Sequence, residues 1–368
     1  MKVLWLTHRD LLDARAGGAE RTVYEVSRRL VSRGHSVVWS SVGSGGSIPN
    51  SLDNGIILHR FSNNIEAHLR QLTRPKADLA ADVVIDDLAH AVPWCTPQFS
   101  RAPTVAFFHH LHRRTAAGQV GPFLAAAIRM VELTYPILYR GAPFVTESAS
   151  SYSDLLALGC SRKQVHVIPP GVDTDTFRPG TRTSHPTIVY FGGLKAYKRP
   201  EIALRVLHKL SREFPNLKCV IAGSGPALDG LKTLAAELSL NPAVQFVGKV
   251  SLPKLAQLVS SAWVNLHCSV SEGWGFSTLE AAAAGVPTVS FEVPGVRDAV
   301  KQGVSGILVQ EGDMTAFTNA VRSVLRFPDA WTEPCRRFAL GFSWDKATDR
   351  WQELLSATAH TSSLDICR

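Results

Sequence analysis

The stretch Ser271-Glu272-Gly273-Trp274-Gly275-Phe276-Ser277-Thr278-Leu279-Glu280-Ala281-Ala282-Ala283-Ala284-Gly285-Val286-Pro287-Thr288 decides how this chain is read. An apolar run ending near His267 predicts a strand, the glycines after it predict a tight turn, and the alanine-rich segment from Phe276 predicts a helix that Gly285-Val286-Pro287 stops. That order makes a phosphate cradle. Glycine lets a ligand approach the main chain, while free amides at the positive end of a helix attract diphosphate oxygens. Glu272 in the loop and Glu280 in the helix are placed to accept hydroxyls from two separated parts of one ligand. A helix-terminal carboxylate and a solvated surface group are the plainer alternatives.

On either side the same grammar repeats: short apolar runs alternate with longer amphipathic segments, which predicts βαβ units and parallel strands covered on both faces. The fold class expected is therefore α/β. Upstream, Val3–Thr7, Ser36–Ser41, Ile56–Arg60, Val83–Asp86, Thr104–Phe108, Phe144–Thr146 and Val165–Ile168 read as strands. Ala19–Arg33, Ile65–Leu72 and Tyr152–Leu158 read as helices. The dense prolines and glycines of Pro169 to Gly180 interrupt the pattern, and it restarts at Thr187–Phe191. The expected domains are 1–170 and 181–343 with a linker at 171–180, and a final helix at about 344–358 placed to pack back on the first domain. Two doubly wound domains leave a crevice, and ligands bind beyond the carboxyl ends of such strands.

The 368 residues are 45% hydrophobic and 19% charged, which suits two packed cores and excludes a disordered chain. The net charge of +8 is spread evenly: 19 basic and 15 acidic side chains in residues 1–180, 20 and 16 in residues 181–368. With no basic tail or block, nucleic acid is not an expected partner. An anionic small ligand, or an acidic lipid surface, accounts for the excess equally well. The six cysteines are scattered, without CxxC or histidine pairing, which points away from a zinc site or a disulfide scaffold and toward the cytoplasm. The first apolar run is too short for a secretory leader. The stretch Pro122 to Tyr139, broken by Arg129 and Glu132, is too short and too charged to span a membrane.

Other residues carry chemistry. In Tyr190-Phe191-Gly192-Gly193-Leu194-Lys195-Ala196-Tyr197-Lys198, the glycines permit a tight turn and Lys198 places an ammonium where a departing diphosphate gathers charge. His109, His110, His112 and Arg113 follow the strand Thr104–Phe108 and so stand at a crevice edge; as metal ligands they are poorly arranged, with no carboxylate or cysteine nearby in sequence. Asp86 and Asp87 end the strand before, facing an acceptor or capping a turn. Asp173-Thr174-Asp175 spells a D-x-D metal motif, but its proline-flanked position favours turn chemistry. No metal site is expected.

The Glu272 to Glu280 segment resembles the E-x7-E signature of family-4 retaining glycosyltransferases of the GT-B fold, and the similarity runs through about residues 1–355. Gly17-Gly18 before Ala19-Glu20-Arg21, Ile168-Pro169-Pro170-Gly171-Val172-Asp173, and Ala222-Gly223-Ser224-Gly225-Pro226 stand in the family's order. The resemblance implies two Rossmann-like domains facing across a cleft and a nucleoside-diphosphate sugar as donor, without a cofactor. It implies that Glu272, with Gly273, Trp274, Gly275 and Phe276, meets sugar and diphosphate, that Glu280 holds the ribose, that Lys249 and Val250 border the base, and that Gly17, Gly18, Gly192, Gly193 and Lys198 surround the phosphates. His109 matches a family histidine that hydrogen-bonds near the donor sugar, which leaves Asp86, Asp87, His110, His112 and Arg113 to the acceptor. One position departs: Gly193 stands where the family has arginine, with Lys195 or Arg199 as replacements. The expectation is a metal-independent, retaining hexosyltransferase acting on a polar small molecule. The readings set against it are a non-catalytic nucleotide-sugar binder and a transferase using a lipid acceptor at a membrane surface.

Overall fold

The computed structural model describes residues 1–13, 15–43, 51–73, 81–90, 92–100, 102–116 and 120–365. The chain divides into two compact units: Met1–Gly171 together with the segment from Trp344, and Val172–Ser343.

The N-terminal unit opens with β1 (Lys2–Leu6), α1 (Gly18–Ser32), β2 (Ser36–Val42), β3 (Ser51–Asp53), β4 (Ile56–Phe61) and α2 (Asn64–Thr73). It continues through β5 (Val83–Asp87), α3 (Thr96–Phe99), β6 (Thr104–Phe108), α4 (His112–Ala116) and α5 (Pro122–Leu138). β7 (Phe144–Thr146), α6 (Ala149–Leu158) and β8 (Val165–Val167) complete the sheet, whose order is β3-β4-β2-β1-β5-β6-β7-β8. Every pairing is parallel except β3 with β4.

The C-terminal unit runs β9 (Thr187–Phe191), α7 (Glu201–Leu210), β10 (Lys218–Ala222), α8 (Leu228–Glu237), β11 (Val244–Gly248) and α9 (Leu252–Ser261). There follow β12 (Val264–His267), α10 (Phe276–Ala283), β13 (Thr288–Phe291), α11 (Val296–Ala299), β14 (Gly306–Val309), α12 (Met314–Arg326) and α13 (Thr332–Ala339). Its sheet is wholly parallel, in the order β11-β10-β9-β12-β13-β14. α14 (Trp344–Asp365) belongs to the N-terminal unit, where Trp351 is buried against Trp5 and Phe107.

Continuous apolar strands are what parallel sheets covered on both faces require, and all five residues of β9 are buried. Helix ends follow local chemistry. Ser148 accepts a hydrogen bond from the Ser151 amide to start α6, Gly159 ends it in the left-handed region, and Asp313 caps α12 through the Ala316 amide.

Two features differ from the sequence reading. The expected linker 171–180 is no free connector: Val172 and Phe177 are buried in the C-terminal unit's core with Leu279 and Trp274. Prolines and glycines stop helices, but they do not stop apolar neighbours from packing. β3 escaped notice because it has only three residues. The D-x-D triplet forms a turn, with Asp173 accepting from the amides of Asp175 and Thr176 and from the Thr176 hydroxyl.

Candidate functional site

In the C-terminal unit, strand order reverses between β9 and β12, which pair with each other while their successors run outward in opposite directions. The loops after these two strands therefore diverge and leave room beyond the sheet edge, where open α/β sheets bind ligands. Lys198 comes from the first loop and Glu272 from the second. Lys198 Nζ donates to Glu272 Oε1 at 2.8 Å, and Ser269 Oγ donates to the same oxygen at 2.7 Å. His267 Nε2 lies 3.7 Å from it.

Burial is the largest single influence and alone would lower the Lys198 pKa and raise that of Glu272, but the opposite charge and the hydrogen bonds together outweigh it in both, so the lysine is raised and the carboxyl lowered. His267 is held neutral, pushed down to about 4 by burial. The result is a fixed ion pair whose lysine side chain keeps 23% and whose glutamate keeps 13% of its accessible surface.

Close main-chain contacts fix this geometry. Gly223 has φ +145°, and a Cβ there would sit 1.9 Å from the Gly192 carbonyl oxygen, so the loops after β9 and β10 touch backbone to backbone. Gly295, at φ +80°, lies under the Glu272 carbonyl in the same way. Gly275 is the N-cap of α10, with no side chain capping the first amides of that helix. Glu280 is buried on α10.

Several site residues proposed from sequence take other roles. The Trp274 indole is buried in an apolar layer beside Phe342, 5.6 Å between ring centroids, so only its main chain can face a ligand. Arg199 does not replace the arginine missing at Gly193: its guanidinium donates to the carbonyls of Cys268 and Ser269, pairs with Glu311 and lies over Phe291. Lys249 is exposed after β11, and Gly17 is exposed at the start of α1, where its amide donates to Glu20 at 2.7 Å.

The N-terminal unit places His109 between two carboxylates. Its Nε2 is 2.6 Å from Asp87 Oδ1 and its Nδ1 3.3 Å from Glu147 Oε2. Thr22 donates to the other oxygen of Glu147 at 2.7 Å. Burial would lower the imidazole, but Asp87 and then Glu147 outweigh it and hold it up at about 10. Both ring nitrogens are thus engaged with carboxylates of the unit.

Asp87 Oδ1 also accepts from the Ala89 amide at 3.2 Å. Asp86 is fully buried, accepts from the Thr96 amide and hydroxyl and from Tyr139, and is pushed up to about 6 by that burial. His112 is engaged with the Ala89 carbonyl at 2.8 Å, and Arg113 is turned to buried Glu132. The His110 ring lies 5.0 Å from that of His112.

Sequence reasoning missed Glu147, Ser269 and His267. Glu147 directly follows β7, the same position after a strand that singled out Asp87 and His109. It also missed a packed cluster of His8, His68, His90 and Trp94, with His8 4.6 Å from both His90 and Trp94 and both its ring nitrogens buried without a partner. Among the described residues, no group of three His, Cys, Asp or Glu could hold a metal ion, and no helix is long and apolar enough to cross a membrane.

The model described as Glycosyltransferase Family 4 matches residues 16–176, and that described as Glycosyl transferases group 1 matches residues 172–339. The chain belongs to the family-4 glycosyltransferases of the GT-B fold. Among curated relatives of this family, it is 27% identical over 385 residues to the D-inositol 3-phosphate glycosyltransferase of Geodermatophilus obscurus, covering 94% of this chain and 85% of that one. The enzyme of the same name from Mycobacterium avium is 36% identical over 205 residues, covering 50% of this chain and 47% of the relative.

Among solved structures, the sucrose-phosphate synthase of Thermosynechococcus elongatus superposes with a TM-score of 0.81 at 20% identity, covering 97% of this chain and 98% of that one. HepE of Anabaena, solved with UDP and glucose, gives 0.76 at 17%, covering 97% and 100%. At these identities the structural likeness establishes the fold.

Proposed function

We propose that this glycosyltransferase is a retaining enzyme that works without a metal, in the cytoplasm, and moves a hexose from a nucleoside-diphosphate sugar to a polar small-molecule acceptor. The observation that carries the proposal is the Lys198–Glu272 pair at the reversal of strand order, with Glu272 in the loop that leads into α10. A diphosphate entering there offers Lys198 a second anion. Glu272 is then released to accept hydroxyls of the sugar, and the ammonium and helix amides stabilise the charge that grows on the leaving phosphate.

In the proposed step the bond from the anomeric carbon to the phosphate oxygen breaks. The acceptor oxygen bonds to that carbon from the same face, and its proton passes to the departing phosphate oxygen. The UDP and glucose of HepE favour a uridine nucleotide, and the inositol phosphate enzymes among the relatives favour a polyhydroxylated acceptor.

A thermal-shift screen of nucleoside diphosphates and their sugars finds the donor, since binding to the folded form raises the melting temperature. Transfer in the presence of EDTA, with the product's anomeric configuration read by NMR, then tests the mechanism. An inverted product would sink retention, and activity that EDTA removes and magnesium restores would sink metal independence. Gly193 favours one other reading, a binder without turnover. Donor binding with neither hydrolysis nor transfer across a broad acceptor panel would establish it.

A further inference from the structure

α5 is apolar on the side that faces solvent as well as on the side that packs. Its inner side carries Tyr135 and Glu132, both buried, with Val131 and Leu138 against the same core. Its outer side exposes Phe123 (91%), Met130 (63%) and Ile137 (73%), with Leu133 beside them, and Leu124 is exposed in the first turn. Phe123, Met130 and Ile137 are spaced by seven residues, about two turns, so they line up along the helix. Five of the fifteen large hydrophobic side chains exposed among the described residues lie on this one element.

The exposed charge is of one sign: Arg129 is exposed on the helix, and Arg140 is exposed two residues beyond its end. The sole carboxylate of the helix, Glu132, is buried and faces Arg113 and His112 from within.

An apolar stripe accompanied by arginines, with no exposed acid, is the pattern of a helix lying in a lipid interface: the rings and aliphatic chains enter the acyl boundary while the guanidiniums meet anionic headgroups. At about 1.5 Å per residue the seventeen residues reach roughly 25 Å, short of a bilayer's hydrocarbon core, so the helix would lie along the surface and not cross it. A second copy of the chain fits less well. A two-fold contact brings the same patch against itself, where Arg129 and Arg140 would meet their own kind with no carboxylate to receive them.

We propose that the outer face of α5 docks this protein on an anionic lipid bilayer. The proposal does not depend on the reaction catalysed, since flotation needs no substrate, and a protein without transferase activity that floats leaves it standing.

The test is co-flotation of the full chain with vesicles of phosphatidylglycerol and phosphatidylcholine in equal parts, against phosphatidylcholine alone. Wild type is expected to float with the mixed vesicles, to stay behind with the neutral ones, and to be released by molar salt. Phe123→Ser combined with Ile137→Ser, and separately Arg129→Glu combined with Arg140→Glu, should each reduce the bound fraction by about tenfold or more. These side chains are solvent-exposed, so both variants should melt as wild type does, and donor-binding shifts should be unchanged. Failure of wild type to float with the mixed vesicles, or undiminished flotation of both variants, overturns the proposal. So does a dimer in light scattering that Ile137→Ser converts to monomer, since the face would then belong to self-association.

Discussion

Lys198 with Glu272 in the C-terminal unit and His109 with Asp87 and Glu147 in the N-terminal unit are both cations held against carboxylates just beyond parallel strands. They differ in stoichiometry and in access. Lys198 meets one carboxylate and its side chain is 23% exposed; His109 meets two and its side chain is 5% exposed. One cation and one anion, part open, can exchange partners with an arriving phosphate. A cation sealed between two anions cannot, because either departure leaves a buried charge without its counterpart. Chemistry-bearing residue types at a strand end thus mark either a ligand site or a structural clamp, and what separates the two is whether a partner is spare.

The comparison can be broken most directly at the clamp. Asp87→Ala should cost about 3–5 kcal/mol of stability, the range for removing one partner of a buried ion pair, read as a lower urea midpoint. A variant as stable as wild type would show that His109 is not held by charge. At the open pair the effect should fall on turnover and not on folding: Lys198→Ala is expected to reduce transfer roughly 100- to 1000-fold with little change in melting temperature. Near-normal transfer would remove the distinction between the centres.

Proton titration sharpens the contrast. The His109 pKa is raised to about 10 from 6.5, so its contribution to stability is complete below about pH 6.5 and is lost as pH rises through about 10. His8 and His90 are lowered to about 3 and about 2 by burial, and their contribution is present above about 6.5 and lost as pH falls below it. Stability of the N-terminal unit should therefore decline on both sides of neutrality, and His109→Gln should flatten the alkaline decline alone in a series of urea titrations from about pH 5 to about pH 10. An alkaline decline that persists in that variant belongs to other groups.

The smallest effect is expected at Gly193. A Cβ there would meet only the Lys195 side chain at 3.8 Å, ordinary contact, and the backbone is outside the left-handed region. Gly193→Arg should fold and raise turnover by up to about tenfold, by adding a second cation beside the leaving group. Reduced turnover would mean that Gly193 itself shapes the donor loop.

Much of the fold was legible because β-strands covered on both faces must be apolar throughout, as Thr187–Phe191 and Thr104–Phe108 are, and because Gly285 ends α10 where a glycine should. The same rule failed for Val172 and Phe177, two apolar side chains among turn residues whose burial depends on what surrounds them. In the candidate site, Glu272 and Lys198 were singled out because each sits in a glycine-rich loop after a strand. Asp86, His112 and Arg113 carry the same local signal, yet their partners Thr96, Ala89 and Glu132 lie 10, 23 and 19 residues away. Residue type at a strand end is a local property, whereas the choice of partner is not.

The sequence by itself determined the α/β class, the glycine-rich loop and helix of Glu272 through Gly285, and the resemblance to the family, since periodicity, glycine placement and helix termination are written within a few residues of one another. Only the tertiary structure decided that Lys198 faces Glu272 while His109 is shut between Asp87 and Glu147, and that the apolar run of α5 buries one side and leaves the other to solvent. The physical reason is that charge pairing and burial depend on distances set by strand order, and strand order brings together residues that the chain itself keeps far apart.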